Sequence, residues 1–411
     1  MSMILDAKEF SAGLDTAATA IDREAVVPVL ETVRLRRDGD RLAMVATDID
    51  HEVETSIVPT MNGWAPDCCI GHPRSLAKAM RGSGGGSVKL SPLDSSQHCG
   101  IICGRLDIEA QTIPGEEFPA FARYDDSPVW SADLGDGVLT ALRRLQTYIS
   151  IESTRYYLNG VYLEQGEEGA YRLVATTGHV MGLADVDLPG SAGEMPTASG
   201  NTSGVILPHV ALGTVLQIAR RRRGAPVRLA IHMTPPKYGS ESEIVAEGTP
   251  VAVWTIGDVT VRTKCIDGTF PNYRKVIPDN REMATFDRGR LRQAIDLLRT
   301  ASNTQNHWTH SVTITFEGDT AVLRAKRQDG GEVSTVLDCR PDTDLLEGEN
   351  RCIGVNPTLM SRILDSLHGV KRVNLAFNAG VIGTGSFQVL PVDPIGFQAV
   401  MMPMRVRDGG R

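Results

Sequence analysis

Cys352-Ile-Gly-Val-Asn-Pro357, running into Thr358-Leu-Met-Ser-Arg-Ile-Leu364, reads as a strand followed by a helix that starts at proline. Proline suits that junction: at a first helical position it loses no needed N–H, and its φ is already set for a helix. The phrase occurs twice more. Cys69-Ile-Gly-His-Pro73 leads into Arg74-Ser-Leu-Ala-Lys-Ala-Met80, and Val205-Ile-Leu-Pro208 leads into His209-Val-Ala-Leu-Gly-Thr-Val-Leu216. One such junction says little. Three, with their prolines 135 and 149 residues apart, suggest three copies of one domain.

Two further repeats support this. A strand ending in a polar turn appears as Leu42-Ala-Met-Val-Ala-Thr-Asp48 and as Leu173-Val-Ala-Thr-Thr-Gly178. A closing phrase appears as Thr112-Ile-Pro-Gly-Glu-Glu-Phe-Pro119 and as Cys265-Ile-Asp-Gly-Thr-Phe-Pro271. Each copy also opens with an amphipathic helix, over Ala7 to Ile21, Val138 to Ser150 and Arg290 to Ser302. Short alternating strands fill the remainder, split by turns such as Asp38-Gly39, Gly318-Asp319 and Asp329-Gly330. The expected fold class is α+β, with two helices packed on antiparallel sheet in each of three domains: 1–127, 128–279 and 280–411. Gly82-Ser-Gly-Gly-Gly-Ser87 reads as a flexible hairpin connection, and Thr234 to Ser242 as a surface insertion.

The 411 residues carry a formal net charge of −8. That balance argues against a protein that coats nucleic acid by bulk positive charge, but not against one whose basic residues share a surface. Seven cysteines do not read as a disulfide framework, and a reducing cytoplasm fits them best. No run of eighteen apolar residues suggests a membrane span.

Catalytic and cofactor chemistry finds little footing. The glycines of Gly82 to Ser87 lack a following Gly-Lys-Ser/Thr, and Gly380, Gly383 and Gly385 fall between strands, so neither nucleotide motif is present. His98, Cys99 and Cys103 lack a second ligand pair at zinc spacing; the thiols, four apart in a strand, point to the core, as do Cys68 and Cys69. His179 has no nucleophile in an elbow context. No metal, no cofactor and no enzymatic activity are expected. The basic residues are more telling: Lys78 and Arg81; Arg143 and Arg144; Arg220, Arg221, Arg222 and Arg223; Arg290, Arg292 and Arg299; Arg362, Lys371 and Arg372. They bias five of six predicted helices, which suits non-specific phosphate contact on one surface.

Several phrases resemble the bacterial beta sliding clamp, the beta subunit of DNA polymerase III. They are Thr154-Arg-Tyr-Tyr-Leu-Asn-Gly160, Asp267-Gly-Thr-Phe-Pro-Asn-Tyr-Arg-Lys-Val-Ile-Pro278 and Val400-Met-Met-Pro-Met-Arg-Val406, with Val27-Pro-Val-Leu30 and Val45-Ala-Thr-Asp48 in the first domain. The resemblance spans all three domains in order. It implies a head-to-tail homodimeric ring around double-stranded DNA, a processivity factor for DNA replication in the cytoplasm. It also implies a pocket for linear motifs of the DNA polymerase III alpha subunit, the clamp loader and other replication and repair proteins.

Carried over position by position, the pocket comprises Leu158, Thr176, Gly178, His179, Val180, Met181, Pro271, Lys275, Val276, Asn356, Leu359, Thr384, Ser386, Val400, Met401, Met402, Pro403, Met404 and Arg405. Methionine-rich apolar walls with a few polar groups suit a peptide groove. The DNA-facing set would be Arg23, Lys78, Arg81, Arg143, Arg144, Tyr157, Arg220, Arg221, Arg222, Arg223 and Arg292, and the dimer interface would include Ile108, Thr300 and Ala301. The family usually has arginine or lysine at Val180, aspartate at Thr177, tyrosine at Leu359 and arginine at Lys275, and Glu24 stands where some members place a DNA-contacting arginine. Without the family's cation at 180, the pocket is expected to prefer apolar motifs. The alternative reading is a clamp-like decoy, or an inhibitor-binding paralogue that does not serve replication.

Overall fold

The computed structural model describes residues 2–405 except 23, 65, 94–96, 167–168, 197–203, 239–243, 247, 280–281, 303–310, 343–344, 346–350 and 379–381. The architecture is α+β with antiparallel sheets. The described residues divide into two compact units. One comprises Met1–Gly135, Leu188–Pro196 and Leu207–Asp267; the other comprises Asp136–Asp187, Thr197–Ile206 and Gly268–Arg411.

The first unit is built on a thirteen-stranded sheet. At its centre Thr32–Asp38, Arg41–Thr47, His51–Ile57, Val259–Lys264, Pro250–Ile256 and Val227–Met233 lie side by side. His51–Ile57 pairs directly with Val259–Lys264, so strands some two hundred residues apart in sequence join in one sheet. Three helices belong to this unit: α1 (Ala7–Ala17), α2 (Pro73–Gly82) and α4 (His209–Arg221). Helix α1 starts where the Asp6 carboxylate accepts a hydrogen bond from the Glu9 N–H at 2.9 Å, and it buries Phe10, Leu14 and Ala17. It packs on α2 and on the strands Arg41–Thr47 and His51–Ile57, while α4 packs on Val259–Lys264.

In the second unit a nine-stranded sheet includes Gly160–Gln165, Tyr171–Thr176, Val180–Val186, Phe397–Met401, Phe387–Pro391, Arg372–Phe377 and Glu282–Asp287 in that order. A four-stranded sheet, with Glu332–Asp338 at one end and Cys352–Val355 at the other, completes it. Its helices with ranges among the described residues are α3 (Asp136–Leu145), α5 (Arg288–Ala301) and α6 (Pro357–Ser366). Asp287 caps α5 by accepting from the Arg290 N–H at 2.8 Å, and α5 packs on α6. Helix α3 lies on Tyr171–Thr176 and Val180–Val186.

Three expectations change in detail. Pro73 and Pro357 are first helical residues, but Pro208 stands one place earlier, as the cap of α4. The glycine-rich segment after Gly82 links α2 to the strand Ser87–Pro92 and is not a hairpin. The first two opening helices are shorter than their apolar periodicity, for α1 and α3 each give way to a 3-10 turn, Ala18–Ala20 and Gln146–Tyr148. Cys68, Cys69, Cys99 and Cys103 are buried, and burial pushes the Cys68 thiol up to about 12. Among the described residues no group of three or more His, Cys, Asp or Glu side chains is placed to hold a metal ion, and no helix is long and apolar enough to cross a membrane.

Candidate peptide groove and basic surface

All nineteen residues of the expected pocket fall within the second unit. The first segment that carries them is a tight turn between Tyr171–Thr176 and Val180–Val186, whose register pairs Thr176 with Met181. Thr176 Oγ1 donates to the Val180 carbonyl at 2.9 Å and accepts from the Gly178 N–H at 3.0 Å. Thr177 Oγ1 accepts from the N–H groups of His179 and Val180, both at 3.3 Å. Gly178 has φ of +88°, a region that favours glycine. These bonds hold the turn from within and leave Gly178 and His179 exposed, while Val180 and Met181 are buried.

The second segment is the end of the strand Phe397–Met401 and the residues that follow it. Val180 pairs with Met401 and Met181 with Val400, while Phe387 pairs with Met401 from the other side. Beyond the strand, the Met402 N–H donates to the His179 carbonyl at 2.9 Å and the Met404 N–H to the Gly354 carbonyl at 2.8 Å. Pro403, which has no N–H, stands between two donors that tie the segment to two different sheets. Met402 is 43% exposed, although it is held at its backbone. Next to Gly354, Asn356 caps α6 by accepting from the N–H groups of Thr358 and Leu359 at 3.0 and 3.2 Å, which places Leu359 half-buried in the first turn.

The third segment is the Asp267–Pro278 stretch. Phe270 stacks on Tyr162 with ring centroids 4.9 Å apart. The Tyr273 hydroxyl donates to buried Glu164 at 2.5 Å, and Arg274 adds two bonds to the same carboxylate at 3.1 and 2.9 Å. Burial, with the Glu164 carboxylate beside it, pushes the Tyr273 hydroxyl up to about 12. The anchored turn turns Lys275 and Val276 outward, and Ser386 Oγ fixes it by donating to the Val276 carbonyl at 2.6 Å. Leu158 is buried at the end of the 3-10 segment Ser153–Leu158, and Pro271, Thr384 and Arg405 are exposed on the flanking segments.

Sequence reasoning missed one residue here. Nη1 of Arg155 would stand 2.7 Å from a side-chain carbon placed on Gly178, so a guanidinium occupies the place beside the turn where Val180 supplies no charge. Position 180 itself carries no charge, and the charge beside this turn comes from Arg155 on another segment. Thr154-Arg-Tyr-Tyr was on the page, but nothing in its spacing announces contact with a glycine twenty-three residues later.

The basic residues divide into two groups. Arg81 pairs with Asp15 at 2.5 Å, Arg222 with Asp258, and Arg292 with both Asp296 and Asp365. Arg144 folds over the Phe397 ring, 5.7 Å from its centroid. By contrast Lys78, Arg143, Arg220, Arg221 and Arg223 are exposed and form no ion pair with a described residue. Tyr157 is half-buried against Gly268. Arg23 lies outside the described residues, as does the tail after Arg405.

Of the expected interface residues, Ile108 lies on the strand Leu106–Pro114 and lines a cleft of about 630 Å3 with Ser75, Leu76 and Ala79 of α2. Thr300 and Ala301 close α5, Thr300 exposed and Ala301 half-buried.

No protein-family model matches the chain. It is 26% identical to the beta sliding clamp of Caulobacter vibrioides over 411 residues, covering 99% of this chain and 100% of that one. It is 25% identical to the beta sliding clamp of Escherichia coli over 395 residues, 92% of this chain and 93% of the relative. Among solved structures, a sliding clamp (DNA polymerase III subunit beta) from Bartonella birtlesii bound to griselimycin superposes with a TM-score of 0.83 at 24% identity, covering 99% of this chain and 100% of that one. The Caulobacter crescentus pol III beta gives a TM-score of 0.81 at 25% identity, with the same coverage.

Proposed function

The chain belongs to the beta sliding clamp family, and on that premise we propose that it is a DNA sliding clamp: a non-catalytic subunit that closes with a second copy around duplex DNA in the cytoplasm. In this role it tethers the DNA polymerase III alpha subunit, the clamp loader and other proteins through the methionine-lined groove. The observation that carries the reading is the end-to-end agreement with clamps, from first strand to last. Of the helices with ranges among the described residues, α1 and α2 fall in the expected domain 1–127, α3 and α4 in 128–279, and α5 and α6 in 280–411.

Open sheet edges support the dimer. Leu106–Pro114 pairs with His98–Cys103 through residues 106–111 but with Asp67–Gly71 only through 112–114. One side of its first half therefore has no strand partner among the described residues. Glu332–Asp338, packed beside α5, is an end strand of its sheet and leaves Val336 60% exposed. Such edges invite pairing unless covered. A head-to-tail second copy would lay one on the other, with Ile108, Thr300 and Ala301 alongside, and two such joints close a ring.

A ring retains DNA by topology, so its phosphate contacts need only be weak. That reconciles a net charge of −8 with duplex DNA inside. Of the expected DNA-facing residues, Lys78, Arg143, Arg220, Arg221 and Arg223 are exposed for such contacts, whereas Arg81, Arg222 and Arg292 are engaged with carboxylates of the chain itself. Light scattering at micromolar concentration tests the assembly: the expected mass is about 89 kDa, twice 44.4 kDa. A monomer would overturn the ring.

A further inference from the structure

We propose that Glu152 is an internal competitor for partner carboxylates: it occupies the Arg155 guanidinium beside Gly178, and a partner segment with an acidic side chain next to its apolar anchor takes its place. The inference rests on the groove reading above and names the chemistry that one end of the groove selects.

Nε and Nη2 of Arg155 both donate to the same oxygen, Oε2 of Glu152, at 2.9 and 2.7 Å. Nη1 is directed away from that pair and lies against Gly178. Gly178 is favoured here by its φ of +88°, and the end of the guanidinium lies against it. The two side chains are 36% and 48% exposed, so the pair is held in water and is readily exchanged. A guanidinium binds a carboxylate through two parallel N–H donors, and Glu152 takes both its donors onto one oxygen, short of the two-oxygen fork a better-placed acid can form. Val180 is buried and apolar, and the other cations of the groove, Lys275 and Arg405, stand on different segments. Arg155 is thus the cation of the Gly178 turn, with Glu152 positioning and screening it.

Two labelled peptides with the same apolar anchor, one carrying Glu and the other Gln at the flanking position, separate the possibilities by fluorescence anisotropy. Glu152→Gln should tighten the Glu peptide about threefold and leave the Gln peptide unchanged. Arg155→Gln should erase the difference between the two, and added salt should shrink it. Equal shifts for both peptides, or no tightening of the Glu peptide, would overturn the competitor. Failure of the groove itself would look different, since the Gln peptide would then bind equally well to the Met402→Ala, Met404→Ala variant. Dimer mass and circular dichroism, expected unchanged, confirm that each variant is folded.

Discussion

Two turns of this molecule share a hydrogen-bond plan and differ in what they present. In the first unit Thr47 Oγ1 donates to the His51 carbonyl at 2.8 Å and accepts from the Ile49 N–H at 2.9 Å, as Thr176 does for Val180 and Gly178. Asp48 Oδ1 accepts from the N–H groups of Asp50 and His51 at 3.0 and 2.7 Å, the part Thr177 plays for His179 and Val180. Ile49 and Gly178 hold the same left-handed backbone, with φ of +83° and +88°. The next strand joins each turn alike, for the Lys264 N–H donates to the Asp50 carbonyl and the Met402 N–H to that of His179. The chemistry beyond the backbone diverges. Where Met402 and His179 stand in the second unit, the first has Lys264 bonded to Asp50 at 3.0 Å, and buried Cys265 replaces Pro403. One turn is closed by an ion pair of its own, while the other is left with an apolar wall. Repetition supplies the frame, and three or four side chains make the two copies differ in what they present.

The largest effect that could break this comparison is on binding. Replacing Met402 and Met404 with alanine should weaken a labelled clamp-binding peptide at least about tenfold. Burying an apolar anchor is worth about 1.5–3 kcal/mol, and about 1.4 kcal/mol is a factor of ten. Lys264→Ala, at the matching place in the first unit, should leave the affinity unchanged. Smaller effects should appear in stability. Gly178→Ala must adopt a left-handed backbone and meet Arg155, and should lower the unfolding free energy by about 1–2 kcal/mol in chemical denaturation. Ile49→Gly relieves the same backbone and should change it by less than about 1 kcal/mol, towards higher stability.

The smallest effect concerns acid. Burial alone would raise the Asp48 carboxyl, but its hydrogen bonds and charge pairing with His51 hold it below the usual value. A depressed carboxyl contributes stability fully above its unfolded pKa of about 4 and loses it as pH falls through the lower folded value. Thr177 cannot titrate in that range. Corrected for intrinsic rates, amide exchange at Asp50 and His51 should therefore quicken as the solution is taken below about pH 4, while His179 and Val180 keep their protection. Equal loss in both turns would show that Asp48 does not secure its own.

Much of this was legible before the fold. The recurrence of Leu42–Asp48 in Leu173–Gly178 and the three strand-to-helix junctions are local patterns, and local patterns survive in sequence. The left-handed position of Ile49 was not legible, because a β-branched residue is the last choice for it; only its glycine counterpart advertises the turn. The ion pairs that engage Arg81, Arg222 and Arg292 were also hidden. Asp15, Asp258 and Asp365 lie on other elements, so counting basic residues along helices overstated the positive surface. Arg155 escaped for the same reason: its partner in space is a glycine on another segment.

The central claim is that the chain holds DNA by enclosing it. Labelled protein, placed on closed circular DNA by a clamp loader, should be followed by gel filtration at salt that strips ordinary phosphate contacts, and again after the circle is cut. The account predicts retention on the closed circle and rapid loss from the linear product. Equal loss from both forms would contradict it.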